Sequence, residues 1–141
     1  MNKGGHPVPQ SISGLRVKRS SAGLGLYTNN AIKKNTTIIE YIGHRIPADI
    51  DATNKYIFNV SKKVDIDGSP RWNTMRYANH SCRPNCDAIN RRGRIFLVAR
   101  RSIKPHEELT YHYGKNYFES VYIQKNGCLC AKCQTKKKGT K

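Results

Sequence analysis

The sequence has no acidic residue before Glu40 and none after Glu119. All 9 acids share that window with 14 of the 26 lysines and arginines, so 12 cations sit in two arms without a counter-charge. A net charge of +17 disfavours cationic partners and favours a polyanion, nucleic acid or nucleoprotein, although solvated surface also explains any one of these charges. Long apolar runs are missing too. Nothing approaches the roughly 18 residues of a membrane helix, and the N-terminus has no secretory h-region. The expectation is a soluble, intracellular protein with no membrane contact, not secreted: nuclear or chromosomal in a eukaryote, cytoplasmic or nucleoid-associated in a prokaryote. Internal repeats and heptads are absent, and no 3.6-residue period lasts beyond a helical turn or two. Cysteine is scarce and odd in number, 5 in 141 residues, which argues for a metal site in a reducing compartment over a disulfide framework.

What is present is a series of short β-type runs. LRVKRS (15–20) alternates apolar and basic residues, and the glycine-rich SAGLGLYT turns into a second strand. TTIIEYIG (36–43), KYIFNV (55–60), VDIDGSP (64–70), which alternates and then turns, and the most apolar stretch, RIFLVARRSI (94–103), follow. KPHEEL (104–109) reads as a turn, and NTMRYAN and KNYFESVYIQ as brief helical turns. The reading is one mainly β domain of small sheets after a mobile basic tail over residues 1–13.

Chemistry concentrates in two places. KNGCLCAKC holds Cys128, Cys130 and Cys133 within six positions. Three clustered thiolates read as a metal clip, and a closed structural zinc site needs a fourth ligand. RYANHSCRPNC (76–86) supplies candidates. Pro84 stops any helix there. The extended segment is read as turning His80 and Cys82 to different partners rather than to each other, which frees Cys82 for the clip. A set using Cys82 and Cys86 with two of the C-terminal three, or a metal-free tail, stays open.

RYANHSCRPNC, EELTYHYG and the C-terminal CxCxxC together closely resemble the SET domain of protein-lysine methyltransferases. SAGLGLYT is similar to that family's N-terminal GxG turn, KYIFNV to its tyrosine-bearing strand, and IKPHEELTYHYG to its IxxGEELTxDYG stretch. The resemblance runs from about residue 14 to residue 133. It implies a SET-type fold of several small sheets (a β-clip) with a knot-like C-terminal crossing and a zinc-stapled post-SET tail. The corresponding division is the tail 1–13, a catalytic domain 14–120, and a post-SET zinc segment with a basic C-terminal tail, 121–141. It implies structural Zn2+ on Cys82, Cys128, Cys130 and Cys133, with Cys86 spare.

It also implies S-adenosyl-L-methionine as methyl donor and a protein lysine as acceptor. A lysine ammonium costs about 4 to 5 kcal/mol to deprotonate at neutral pH in water. A desolvating channel ending near a cation lowers that cost, and the remaining task is alignment. By resemblance Tyr113 is the active-site tyrosine, Tyr56 a second channel tyrosine, and Tyr111 the residue that sets how many methyls fit. Arg76, Asn79, His80 and Tyr113 match cofactor contacts, Gly23, Leu24 and Gly25 a turn that admits the cofactor, and Leu129 a cover for the adenine. Any single tyrosine among 8 is also a natural amphipathic core residue.

Two departures stand out. His112 replaces the usual Asp of the DY pair, and the stretch between Gly43 and Tyr56, where the family carries substrate-specific inserts, is short. The expected substrate is a lysine in a basic tail of a histone or other nucleic-acid-associated protein, monomethylated. A ribosomal-protein tail is the alternative, and the basic arms are expected to contact nucleic acid non-specifically. The rival of another class is a catalytically silent, zinc-stapled module that binds nucleic acid or nucleoprotein. Nothing in the residues points to an oligomeric state.

Overall fold

The computed structural model describes residues 7–21, 23–48 and 56–113. Ten strands form three small sheets: β1 (Leu15–Ser20), β2 (Gly23–Thr28), β3 (Thr37–Tyr41), β4 (His44–Pro47), β5 (Ile57–Asn59), β6 (Val64–Asp67), β7 (Asn79–His80), β8 (Cys86–Arg91), β9 (Arg94–Ala99) and β10 (Glu108–Tyr111). The first sheet has the order β1-β2-β10-β7, the second β3-β9-β8 and the third β4-β6-β5. Among the described residues the one helical element is a 3-10 helix, Thr74–Tyr77, and no helix there is long and apolar enough to cross a membrane.

The central strand of the second sheet explains itself. Residues 95–97 and 99 of β9 are all buried, which requires the continuous apolar run that the sequence shows there. Leu26 and Leu109 of the first sheet, Ile38, Ile39, Ile95 and Leu97 of the second, Ile66 of the third and Met75 of the 3-10 helix converge on one core, each at most 2% exposed. β1 behaves differently. Its alternation promised a half-buried strand, yet its four central residues are exposed. It is the edge of its sheet, and its lysine and arginines discourage further pairing.

The N-terminal tail is shorter than expected. Ile12 N–H donates to the Ile38 carbonyl (2.9 Å), and Glu40 N–H donates to the Gln10 carbonyl (3.0 Å). Residues 10–12 therefore lie along β3, because the apolar Ile12 packs on the core there. KYIFNV keeps strand pairing only over Ile57–Asn59, since Val60 and Ser61 both turn back to the Val64 carbonyl. The helical turn expected in KNYFESVYIQ lies outside the described residues, as do Cys128, Leu129, Cys130 and Cys133.

Candidate active site

β7 and β10 pair in parallel, Thr110 opposite Asn79 and Tyr111 opposite His80. A parallel pair needs a long connection, and residues 81–107 supply it. The NHSC and ELTYHY segments, distant in sequence, thus become one surface. Tyr111 is buried, with its ring 5.2 Å from that of Tyr113 and 6.4 Å from that of Phe58. The Tyr113 hydroxyl donates to the Ala78 carbonyl at 3.1 Å. That bond fixes the phenol and leaves its oxygen lone pairs as acceptors.

His80 connects both segments. The Tyr113 backbone N–H donates to its Nδ1 at 3.2 Å, so the hydrogen-bond network assigns the proton to Nε2. Nε2 lies 3.4 Å from Cys82 Sγ. Burial first, and the neighbouring His112 second, lower the His80 pKa to about 4, so the ring is neutral at pH 7. The contact with Cys82 corrects the sequence expectation. Residues two apart on an extended chain share a face, so His80 and Cys82 meet, and Ser81 points elsewhere. His112 packs edge-on against His80, ring centroids 4.5 Å apart.

Asn79 organises the other side. Its buried amide lies 3.0 Å from Ser20 Oγ, 2.8 Å from the Leu24 carbonyl and 2.9 Å from Glu108 Oε2. This arrangement explains Gly25. A Cβ there would stand 2.5 Å from Glu108 Oε2, so the second glycine makes room for a carboxylate of the fold. Gly23 differs, with φ +102 and nothing within 4 Å of a Cβ. Leu24 contributes its carbonyl while its side chain is exposed.

Burial raises the Glu108 pKa, and the Asn79 hydrogen bond partly opposes this. The folded state then holds this proton more tightly than the unfolded chain does. Ionised Glu108 destabilises the fold above its folded pKa, and that loss is recovered as pH falls through it. Glu108→Gln is accordingly expected to melt above the wild type at pH 7.5, with the gap closing toward pH 4.5. Thermal melts of both proteins across that range check it, and a pH-independent gap contradicts it.

Arg76 stacks its guanidinium over Tyr56 (4.2 Å) and Tyr77 (5.0 Å). Its buried Nε–H has no hydrogen-bond partner among the described residues. A buried, unpaired cationic donor is costly and suits an anionic group such as the carboxylate of an amino-acid cofactor. With the open space over Gly23, this is the structural fit to S-adenosylmethionine.

The two described cysteines are unlike. Cys82 is half-buried and borders a cavity of about 560 Å³ that Phe58, Asp87, Ala88, Arg100, His112 and Tyr113 also line. Cys86 is fully buried, and burial pushes its thiol up to about 12. A metal ligand is a thiolate, and of the two Cys82 is the one nearer solvent. Among the described residues there is no group of three or more His, Cys, Asp or Glu placed to hold a metal.

Three residues that the sequence reading passed over build this site. Buried Asn85 accepts the Thr110 N–H (3.0 Å) and donates to the Glu108 carbonyl (2.8 Å), pairing with β10 as a strand would. Buried Asn73 accepts the Ile42 N–H and donates to the Gly68 carbonyl, tying the 3-10 helix to β3. Phe58 joins Tyr41 to Tyr111. An Asn after a proline or before a helical turn reads as a loop residue, so only its burial gives it away.

A mainly β fold of small sheets, with its paired tyrosines at a parallel crossing, is a SET-type fold. The family description "SET domain" matches residues 23–114, and the chain belongs to that family. The chain is 30% identical to histone-lysine N-methyltransferase ash1 of Drosophila melanogaster, over 92% of this chain and 6% of that protein. It is 37% identical to histone-lysine N-methyltransferase trr of the same fly, over 64% of this chain and 4% of trr. With the human histone-lysine N-methyltransferase, H3 lysine-36 specific, it shares 33% identity over 77% of its length and 4% of the relative's. The crystal structure of KRYPTONITE in complex with mCHH DNA, H3(1-15) peptide and SAH superposes with a TM-score of 0.64 at 30% identity, covering 75% of this chain and 24% of that one. The chain thus spans a small fraction of the length of these relatives.

Proposed function

We propose that this chain is an S-adenosylmethionine-dependent protein-lysine N-methyltransferase acting on a lysine in a basic tail of a histone or other nucleic-acid-associated protein. The observation that carries it is the Tyr113 hydroxyl seated on the Ala78 carbonyl beside buried Tyr111. The names of the relatives, histone-lysine N-methyltransferases, and the H3 peptide and DNA bound by KRYPTONITE support the substrate class. S-adenosylmethionine, when bound, supplies a methyl on a cationic sulfur. Arg76, Asn79, His80 and the backbone of residues 23–25 would hold it, with Leu129 named by resemblance alone. Tyr56, Phe58, Tyr111 and Tyr113 strip water from the lysine, which favours its neutral, nucleophilic form. The Tyr113 oxygen and nearby carbonyls can grip its hydrogens and orient it. Radiolabelled methyl transfer to a panel of histones and ribosomal proteins, with mass spectrometry of the product, tests this. Cofactor binding without transfer to any of them would favour the silent, nucleoprotein-binding module.

Product state should follow Tyr111. Its hydroxyl restrains the amine and can hold a water in the space that a second methyl would need, so monomethyl-lysine is the expected end point. Tyr111→Phe is expected to release di- and trimethyl product with less than about a tenfold loss of overall rate. Mass spectrometry after long incubation decides, and abundant trimethyl product from the unmodified protein refutes the assignment.

Zinc is proposed on Cys82, Cys128, Cys130 and Cys133. Cys82→Ser should lose one zinc per chain while Cys86→Ser keeps it. Metal analysis reads this directly, and retention in Cys82→Ser would remove Cys82 from the set. The basic arms are proposed to contact nucleic acid.

A further inference from the structure

A second cationic surface lies on the folded body, formed by residues between the two arms in sequence. Two turns from different sheets meet there. The β8–β9 hairpin turns at Arg92 and Gly93, and the β5–β6 turn spans residues 61–63. Asn90 Nδ2 donates to the Val60 carbonyl at 2.9 Å and fastens one turn to the other. Arg45 of β4 donates to the Gly93 carbonyl at 2.8 Å. Six exposed cations, Arg45, Lys62, Lys63, Arg91, Arg92 and Arg94, therefore share one corner. Among the described ion pairs, the one acid that reaches it is Glu40, gripped by Arg94.

The corner is built against its own local stability. Arg91 stands directly opposite Arg94 in the β8–β9 register, and like charges so placed repel. Arg92 and Gly93 have φ of 55 and 86, a turn that favours Asn-Gly. An arginine at that apex is more strained than an asparagine would be. Two of the arginines are also held in place. Arg91 donates to Thr37 Oγ1 at 2.8 Å, and both Arg91 and Arg94 stack on the Phe96 ring. The Ser61 hydroxyl accepts the Lys63 and Val64 N–H groups and shapes the lysine turn.

We propose that this corner binds the phosphate backbone of duplex DNA. Cations clustered on joined turns reinforce one another's field wherever they lie within a Debye length, about 8 Å at physiological salt, and duplex DNA presents about one charge per 1.7 Å of axis. Among the described residues the ring beneath the arginines, Phe96, is buried. Single strands are gripped largely by base stacking, so the duplex is the better fit. β8 runs from Cys86, beside the tyrosine site, to Arg91, about 17 Å at the usual rise. Bound DNA would thus lie beside the site without filling it.

The test is fluorescence anisotropy with a labelled 20-base-pair duplex from 50 to 200 mM salt, using Lys62→Gln/Lys63→Gln/Arg92→Asn. Asn suits the apex, so the variant should fold, and circular dichroism checks that. The expected result is binding weakened tenfold or more, with the slope of log K against log salt reduced by about 2 to 3. Lys136→Ala/Lys137→Ala/Lys138→Ala serves as the comparison from the C-terminal arm. Unchanged affinity and slope in the corner variant, or no binding by the wild type, would overturn the proposal. Equal affinity for a single-stranded 20-mer or for polyglutamate would overturn the assignment to duplex DNA. None of these readouts depends on methyl transfer.

Discussion

Tyr113→Phe is expected to bind S-adenosylmethionine within a few-fold of the wild type and to turn over at least about 100-fold more slowly, the scale on which one positioned polar group acts. The substitution removes one oxygen and keeps the ring. The ring packs 5.2 Å from Tyr111 and 5.5 Å from His80, so the aromatic walls remain. What goes is the hydroxyl seated on the Ala78 carbonyl. A hydrogen bond of that kind contributes about 1 kcal/mol to stability, so the melting temperature should fall by only about 4 °C. A large drop in turnover beside a small drop in melting temperature separates chemistry from folding. Calorimetric cofactor titration and single-turnover methyl transfer measure the two halves. Turnover equal to that of the wild type would show that Tyr113 is misassigned, and parallel loss of binding would make it a cofactor contact instead.

The tyrosines were legible because their chemistry travels with motif words: NHSC and ELTYHY keep their spelling and order. The strand content was legible for a similar reason, since β9 is buried on both faces and so reads as an apolar run over residues 95–99. The third sheet was half hidden. β4 is HRIP, four residues with three exposed or charged, and it becomes a strand only because β6 offers it a partner. β7 is two residues long and exists by its pairing with β10. Local propensity carries little information about such pieces, since tertiary contacts decide them.

The same limit explains the errors at the site. Treating His80 and Cys82 as pointing apart applied the rule for neighbours to residues two apart. The closeness of Glu108 to Gly25 was not legible either. The second is a long-range fact: Glu108 meets Gly25 only because β10 lies beside β2. Asn85 and Asn73 were missed because a buried amide that stands in for a strand partner has the spelling of an ordinary turn.

Gly68 is the sharpest case, and its replacement by Ala is expected to be the most destabilising single change among those discussed. The residue looked like a turn glycine in VDIDGSP. In the structure it is buried, its N–H donates to the Tyr56 carbonyl at 2.9 Å, and a Cβ would overlap the Tyr41 ring. Tyr41 cannot retreat easily. It is 3% exposed, its hydroxyl donates to the same Tyr56 carbonyl, and its ring packs 5.3 Å from Phe58. Overpacking of this kind costs about 1 to 3 kcal/mol, so the melting temperature should fall by about 4 to 12 °C. Function should suffer as well, because Tyr56 and Phe58 move with Tyr41, and Phe58 packs against Tyr111. The apparent KM for a peptide substrate should then rise more than kcat falls. The decisive measurement is a double-mutant cycle with Tyr41→Leu, which removes the ring that the new methyl strikes. If the clash is the cause, the two changes together should cost at least about 1 kcal/mol less than their sum, since contacting residues couple on that scale. Strict additivity would mean that Gly68 is needed for its backbone alone and that the Tyr41 ring has room to give.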